Sequence, residues 1–234
     1  MSEEQTVYAA MEDDKCQTVL HYSARYGNKE VIDELFKNFS WKEKQELIKM
    51  TDNDGMTALD YAKKYNYQDI VRKLEQYFSS FNRQGKNLKV LFDAIRNNNF
   101  NIVRSIIQQE KFSKGFFFLV DEQGRTSLHL AAKYGCYDIV RELIGNIFYD
   151  ERDDFIKTVD SYKKTALHYA ASYGQKEVAK ELIESISWGN KNELLDIADY
   201  KGRTAVQCAI EYKYPKIVCD LENSRLSWFW NIFS

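Results

Sequence analysis

A threonine recurs at a fixed interval. Thr18, Thr57, Thr126, Thr165 and Thr204 each sit in a similar stretch, and three of the four gaps between them are 39 residues. The fullest copy, Asp121 to Ile144, reads DEQGRTSLHLAAKYGCYDIVRELI, and Asp160 to Ile183 reads DSYKKTALHYAASYGQKEVAKELI. Matching stretches run from Asp13 to Leu35, Asp52 to Leu74 and Asp199 to Leu221. The wide gap between Thr57 and Thr126 holds a weaker copy, Phe92 to Ile107, with Ala94 under Ala131 and Val103 under Val140. Six units result. Self-similarity at such a period means one supersecondary element stacked on copies of itself, because a single copy cannot bury its own apolar face.

One unit can be read from its spacing. Leu128, Ala131 and Ala132 fall at i, i+3 and i+4 and share a helical face. The Ala131 column is Ser23, Ala62, Ala94, Ala131, Ala170 and Ala209, small throughout, so that neighbouring helices can approach closely. Gly27, Asn66, Asn98, Gly135 and Gly174 follow this helix and suit a left-handed helix end; Lys213 departs from the column and predicts strain or another cap. A second helix carries Ile139, Val140, Leu143 and Ile144 on one face. Pro215 falls in the first turn of the last such helix, where a missing N–H costs little. Before each Thr, Asp-x-x-Gly-x-Thr predicts a tight turn with Gly at positive φ. Cys16 and Lys163 replace that Gly, which leaves their turns open.

A turn followed by two antiparallel helices with Asp-x-x-Gly-x-Thr-x-Leu-His-x-Ala-Ala-x-x-Gly-x-x-x-Ile-Val-x-x-Leu resembles the ankyrin repeat, from about Asp13 to Leu221. The resemblance implies an all-α solenoid of about six helix-turn-helix repeats. It further implies a concave groove, lined by turn tips and first helices, that binds another protein. Two departures stand out. Val19, Ala58, Ser127, Ala166 and Ala205 occupy the place of the family's proline, and the period exceeds the usual ~33 residues. The extra residues follow the second helix. Ser40-Trp41 and Ser187-Trp188 match, with Tyr149 and Phe155-Ile156 in the same register. Ser40 and Glu43 form a capping-box pattern that predicts a short third helix. The simplest use of Trp41, Tyr149 and Trp188 is packing onto the second helices; a second binding surface is the alternative.

Residues 1–12 are expected to be an N-terminal extension, 13–78 repeats one and two, 79–225 repeats three to six, and 226–234 an aromatic tail. That tail caps the last repeat, touches a partner or membrane, or contacts a further segment. Phe81 to Asn87 reads as a loop at which the array could bend.

Composition excludes more than it assigns. With 33 basic and 35 acidic residues, the net charge of −2 argues against nucleic acid. No apolar run is long enough to span a bilayer, and the acidic N-terminus lacks a signal-peptide core. Cys16, Cys136, Cys208 and Cys219 show neither metal nor disulfide spacing, which points to a reducing, cytoplasmic compartment, the producer's own or a host's. His21, His129 and His168 occupy one column in separate repeats, roughly 10 Å apart per step. They read as turn-bracing hydrogen-bonders and not as metal ligands or bases. No catalytic motif, cofactor loop or metal set is visible, and Asp13-Asp14 and Asp153-Asp154 read as solvated charge.

The candidate site is aromatic and basic. Tyr26, Tyr65, Tyr134, Tyr173 and Tyr212 precede the helix end, and Tyr22, Tyr61 and Tyr169 stand four residues earlier. These pairs share a face, opposite the core, that should look into the groove. They could equally pack between repeats. Arg125, Lys133, Lys163, Lys164, Lys201 and Arg203 lie at the turns and helix ends of the last three repeats, where the second repeat offers Asp52 and Asp54. The expected interface is therefore Tyr134, Tyr169, Tyr173, Tyr212, Arg125, Lys133, Lys164, Lys201 and Arg203, presented to an acidic segment of a partner protein; a solvated surface is the plain alternative. The array could also be the targeting or scaffold part of a larger enzyme or secreted effector.

Overall fold

The structure, a computed structural model, describes residues 13–39, 41–110 and 115–230, and the side chains of all of these except 41, 42 and 226–230. Fourteen α-helices and no strand occur among the described residues, as an all-α helical-repeat array requires. The N-terminal extension, the Ser40 cap, the packing of Trp41 and the aromatic tail's contacts lie outside the described residues.

The chain divides into two compact units, Met1–Lys86 and Asn87–Ser234. The first holds α1 (Val19–Arg25), α2 (Lys29–Asn38), α3 (Trp41–Lys49), α4 (Ala58–Lys64) and the beginning of α5 (Gln68–Arg96). Leu20, Ala24, Ile32, Phe36, Ala62 and Leu74 form its core. The second holds the end of α5, then α6 (Phe100–Glu110), α7 (Ser127–Tyr134), α8 (Tyr137–Asn146), α9 (Arg152–Lys157), α10 (Ala166–Tyr173), α11 (Lys176–Ser185), α12 (Lys191–Asp196), α13 (Ala205–Glu211) and α14 (Pro215–Trp230). Within it, α7, α10 and α13 pack in one row and α6, α8, α11 and α14 in a second. Ala131, Ala170 and Ala209 are fully buried between neighbours of the first row, the close approach that small residues permit.

The stretch Phe81 to Asn87, expected as a loop, is helical inside α5. Its weakest helix former is Gly85, which costs about 1 kcal/mol, and nothing crowds it. The apolar stripe meanwhile continues. Phe36 stacks on Tyr77 at 4.3 Å, Tyr77 on Phe81 at 6.2 Å, and Phe81 is buried. Burying Phe81 contributes about 2 kcal/mol, enough to carry the helix through a polar-looking segment. Between α6 and the turn of the fourth repeat, a 3-10 turn at Phe116–Phe118 buries Phe116 and Phe117. Phe117 and Phe118 meet Phe155 edge-on at 6.1 and 5.6 Å.

The additional residues of each period form short helices, α3, α9 and α12. Their packing is done by apolar doublets, Leu47-Ile48, Phe155-Ile156 and Leu194-Leu195, all buried. The aromatic residue preceding the second and third doublets is not the anchor: Tyr149 is 83% exposed and Trp188 54% exposed. Each lies in a 3-10 turn ahead of the short helix, which aims the ring at solvent. Asp153, expected as solvated charge, accepts from the Ser187 N–H at 2.9 Å and the Asn190 amide at 2.6 Å and so ties one insert to the next.

Left-handed backbone appears wherever the repeat demands it, whatever the residue. Gly124 and Gly202 have φ of 74°, and Cys16 and Lys163 hold the same place at 59° and 57°. Lys213 likewise takes φ 63° at its helix end, so it is strained and not capped differently, at a cost of roughly 1–2 kcal/mol.

Candidate functional site

The turn that opens each repeat is built around its aspartate. In five repeats the Oδ1 atom accepts two backbone N–H groups, two and four residues on: Lys15 and Gln17 for Asp13, Asp54 and Met56 for Asp52, Gln123 and Arg125 for Asp121, Tyr162 and Lys164 for Asp160, and Lys201 and Arg203 for Asp199. These bonds hold the turn closed even where glycine is missing. Asp52, expected as an acidic tip, is itself buried. Burial opposes its ionisation. The Tyr61 hydroxyl, the Met56 N–H and the Gln17 amide outweigh that and hold its carboxyl at about 2.

The second carboxylate oxygen is satisfied in one of two ways, and the choice follows the helix residue nine positions on. Where that residue is a tyrosine, its hydroxyl donates: Tyr22 to Asp13 at 2.6 Å, Tyr61 to Asp52 at 2.6 Å, Tyr169 to Asp160 at 2.7 Å. Where it is Leu130 or Cys208, an arginine in the turn fills the place. Arg125 forks onto Asp121 through Nε at 2.9 Å and Nη2 at 2.6 Å, and Arg203 forks onto Asp199 at 3.1 and 2.8 Å. Arg203 also reaches Glu211.

The histidines brace the same turns. Each Nδ1 accepts the N–H of the repeat's threonine, at 3.0 Å in His21, 3.1 Å in His129 and 3.2 Å in His168. Each Nε2 donates to a carbonyl 35 residues on, Met56, Lys164 and Arg203, at 3.1, 2.9 and 3.0 Å. An N–H facing Nδ1 and a carbonyl facing Nε2 require the neutral Nε2–H tautomer. Burial pushes His129 down to about 4 and lowers His168 as well. Asp60 and Gln207 cap Thr57 and Thr204 from the same position. With both ring nitrogens occupied, the imidazoles have no free electron pair for a metal or a substrate proton.

A cleft of about 410 Å³ opens along the turns and first helices of the last three repeats. Arg125, Lys133, Lys164, Tyr169, Tyr173 and Tyr212 line it, six of the nine residues expected from sequence. Tyr134, Lys201 and Arg203 do not. The structure sorts the six further. Tyr169 is only 8% exposed and its hydroxyl is spent on Asp160, so it lies beneath the surface it was expected to form. It stacks on Tyr173, which is 48% exposed. Arg125, like Arg203, has its charge neutralised within its own turn. Lys133 places its ammonium 5.5 Å from the ring centres of both Tyr134 and Tyr173, and Lys164 lies 5.6 Å from Tyr169.

Sequence reasoning missed Gln123, Tyr162, Ser172 and Tyr200, which also line the cleft. Tyr162 and Tyr200 lie at neighbouring turn tips with ring centres 5.7 Å apart. An aromatic residue inside an otherwise polar turn is the signal for both. Ser172 has none, since it stands where the fourth repeat has Lys133.

A family model described as ankyrin repeats matches three times, over residues 4–84, 75–154 and 147–224. No match was found among curated proteins. The matches run through all six units. The chain belongs to the ankyrin-repeat family.

Proposed function

We propose that this chain is a non-catalytic interaction module that holds a partner protein in the groove of its C-terminal unit, and that the partner presents an acidic segment there. Ankyrin repeats are in general protein-protein interaction modules. The observation that supports the groove is the tyrosine-walled cleft across three successive repeats, with two ammonium groups on its lining. Tyrosine gives a large contact area at a small entropic cost. No helix among the described residues is long and apolar enough to cross a membrane. None of the four cysteines is joined in a disulfide, which suits a reducing compartment such as the cytosol.

Affinity capture from a cytosolic extract, with the wild-type chain and a Tyr173→Ala/Tyr212→Ala variant of equal melting temperature, tests this reading. A partner lost from the variant, with its affinity lowered by about 2 kcal/mol or more, is the expected result. Partners retained equally move the interface away from the groove, with the exposed rings of Tyr149 and Trp188 the next surface to substitute.

A further inference from the structure

The turn cations of the last three repeats stand in one column, Arg125, Lys164 and Arg203, each four residues after its turn aspartate. Only Lys164 is left without its carboxylate. Arg125 and Arg203 fork onto Asp121 and Asp199. In the middle repeat the Tyr169 hydroxyl has taken the oxygen of Asp160 that Lys164 would otherwise hold. Among the described residues, Lys164 and Lys133 have ring contacts and no carboxylate partner. Both line the same cleft.

We propose that Lys133 and Lys164 form an anion subsite that takes the carboxylate of an Asp or Glu side chain from an extended partner segment, and that Tyr169 is the positioning residue that keeps Lys164 available. The subsite rests on the groove reading above. Charge complementarity selects the occupant: two ammonium groups want an anion, and they repel the cations that a cage of tyrosines alone would attract. The cleft's course selects the extended form. Turn tips of successive repeats are tied in a row, Ser161 N–H to the Gln123 carbonyl and Tyr200 N–H to the Tyr162 carbonyl, each at 3.0 Å. Repeats roughly 10 Å apart match about three residues of extended chain, so a segment laid along this row meets one repeat with every third residue. Two lysine point charges without a flanking basic run suit one carboxylate better than a phosphate backbone.

The test is selection of a displayed library of random 12-residue peptides on the full chain. Selected peptides are then measured by fluorescence anisotropy in pairs, the acidic residue against its amide. On the wild-type chain the acid is expected to be enriched, and the amide to bind at least ~10-fold more weakly, the scale of one charge-assisted hydrogen bond. Lys133→Gln/Lys164→Gln should bring the acid-to-amide ratio near one. Tyr169→Phe should lower the ratio too, because Asp160 then competes for Lys164. A Tyr169→Phe variant that weakens acid and amide peptides equally overturns the positioning role. A ratio that survives the double lysine variant, or selected peptides with no acid preference, overturns the subsite and leaves the groove standing. No enriched peptide overturns the groove reading and the subsite with it.

Discussion

The imidazole Nε2–H of His168 donates to the carbonyl of Arg203 at 3.0 Å, across the boundary between one repeat and the next. The same ring caps Thr165 through Nδ1 at 3.2 Å. One buried side chain therefore closes its own helix and holds the following turn, so its loss is felt twice.

His168→Ala is expected to cost about 2–3 kcal/mol, the sum of a lost cap and an orphaned buried carbonyl. His168→Gln should cost less, because Gln207 caps Thr204 from the same position at 2.8 Å. Urea unfolding midpoints of the two variants rank them. Equal losses would show that the link to Arg203 dominates and the cap contributes little.

His129 predicts an acid-sensitive fold. Its pKa is lowered by burial from 6.5 to about 4, so the unfolded chain takes up the proton first. The neutral ring's contribution is complete above pH 6.5 and is lost as pH falls towards 4. Protonation would also place Nδ1–H against the Thr126 N–H. The full effect is about 3 kcal/mol for such a shift. Urea unfolding from pH 7 to 4.5 should show the decline, and His129→Gln should flatten it.

Gly174 predicts a contrast among glycines. It has φ 74°, and an added Cβ would sit 2.4 Å from the Tyr214 ring. Gly202 has the same φ and open space around it. Gly202→Ala should therefore lose only the ~1 kcal/mol of left-handed strain, and Gly174→Ala should lose more, with the packing of Tyr214 against its neighbour disturbed. Lys213→Gly removes such strain and should raise the melting temperature. Thermal melts of the three variants separate strain from crowding.

Arg203 and Lys164 should part company. Asp199 is 4% exposed and depends on the Arg203 fork; burial resists its ionisation, and the guanidinium leads the contacts that hold its pKa below the usual range. Arg203→Ala is expected to destabilise by about 2 kcal/mol. Lys164→Gln removes no carboxylate contact and should stay within about 0.5 kcal/mol of wild type. A chemical-denaturation series decides this. Equal stability of the two variants would mean that Asp199 finds another partner.

The sequence alone determined the repeat, its helix pairs, the small column and the histidines' bracing role. These are local matters: a cap joins residues three apart, and a left-handed helix end joins residues within one turn. Tertiary structure decided the rest. Residues 81–87 stay helical because the packing of Tyr77 and Phe81 outweighs one glycine. Tyr149 and Trp188 face solvent because the doublets beside them fill the space first. Tyr169 is buried, Arg125 and Arg203 are neutralised and Lys164 is free because two donors compete for one carboxylate oxygen. A tyrosine nine residues away wins that contest in one repeat, and its replacement by Leu130 or Cys208 concedes it in the others. Residue type marks all three turn cations alike; only the distances separate the two that hold a turn carboxylate from the one that does not.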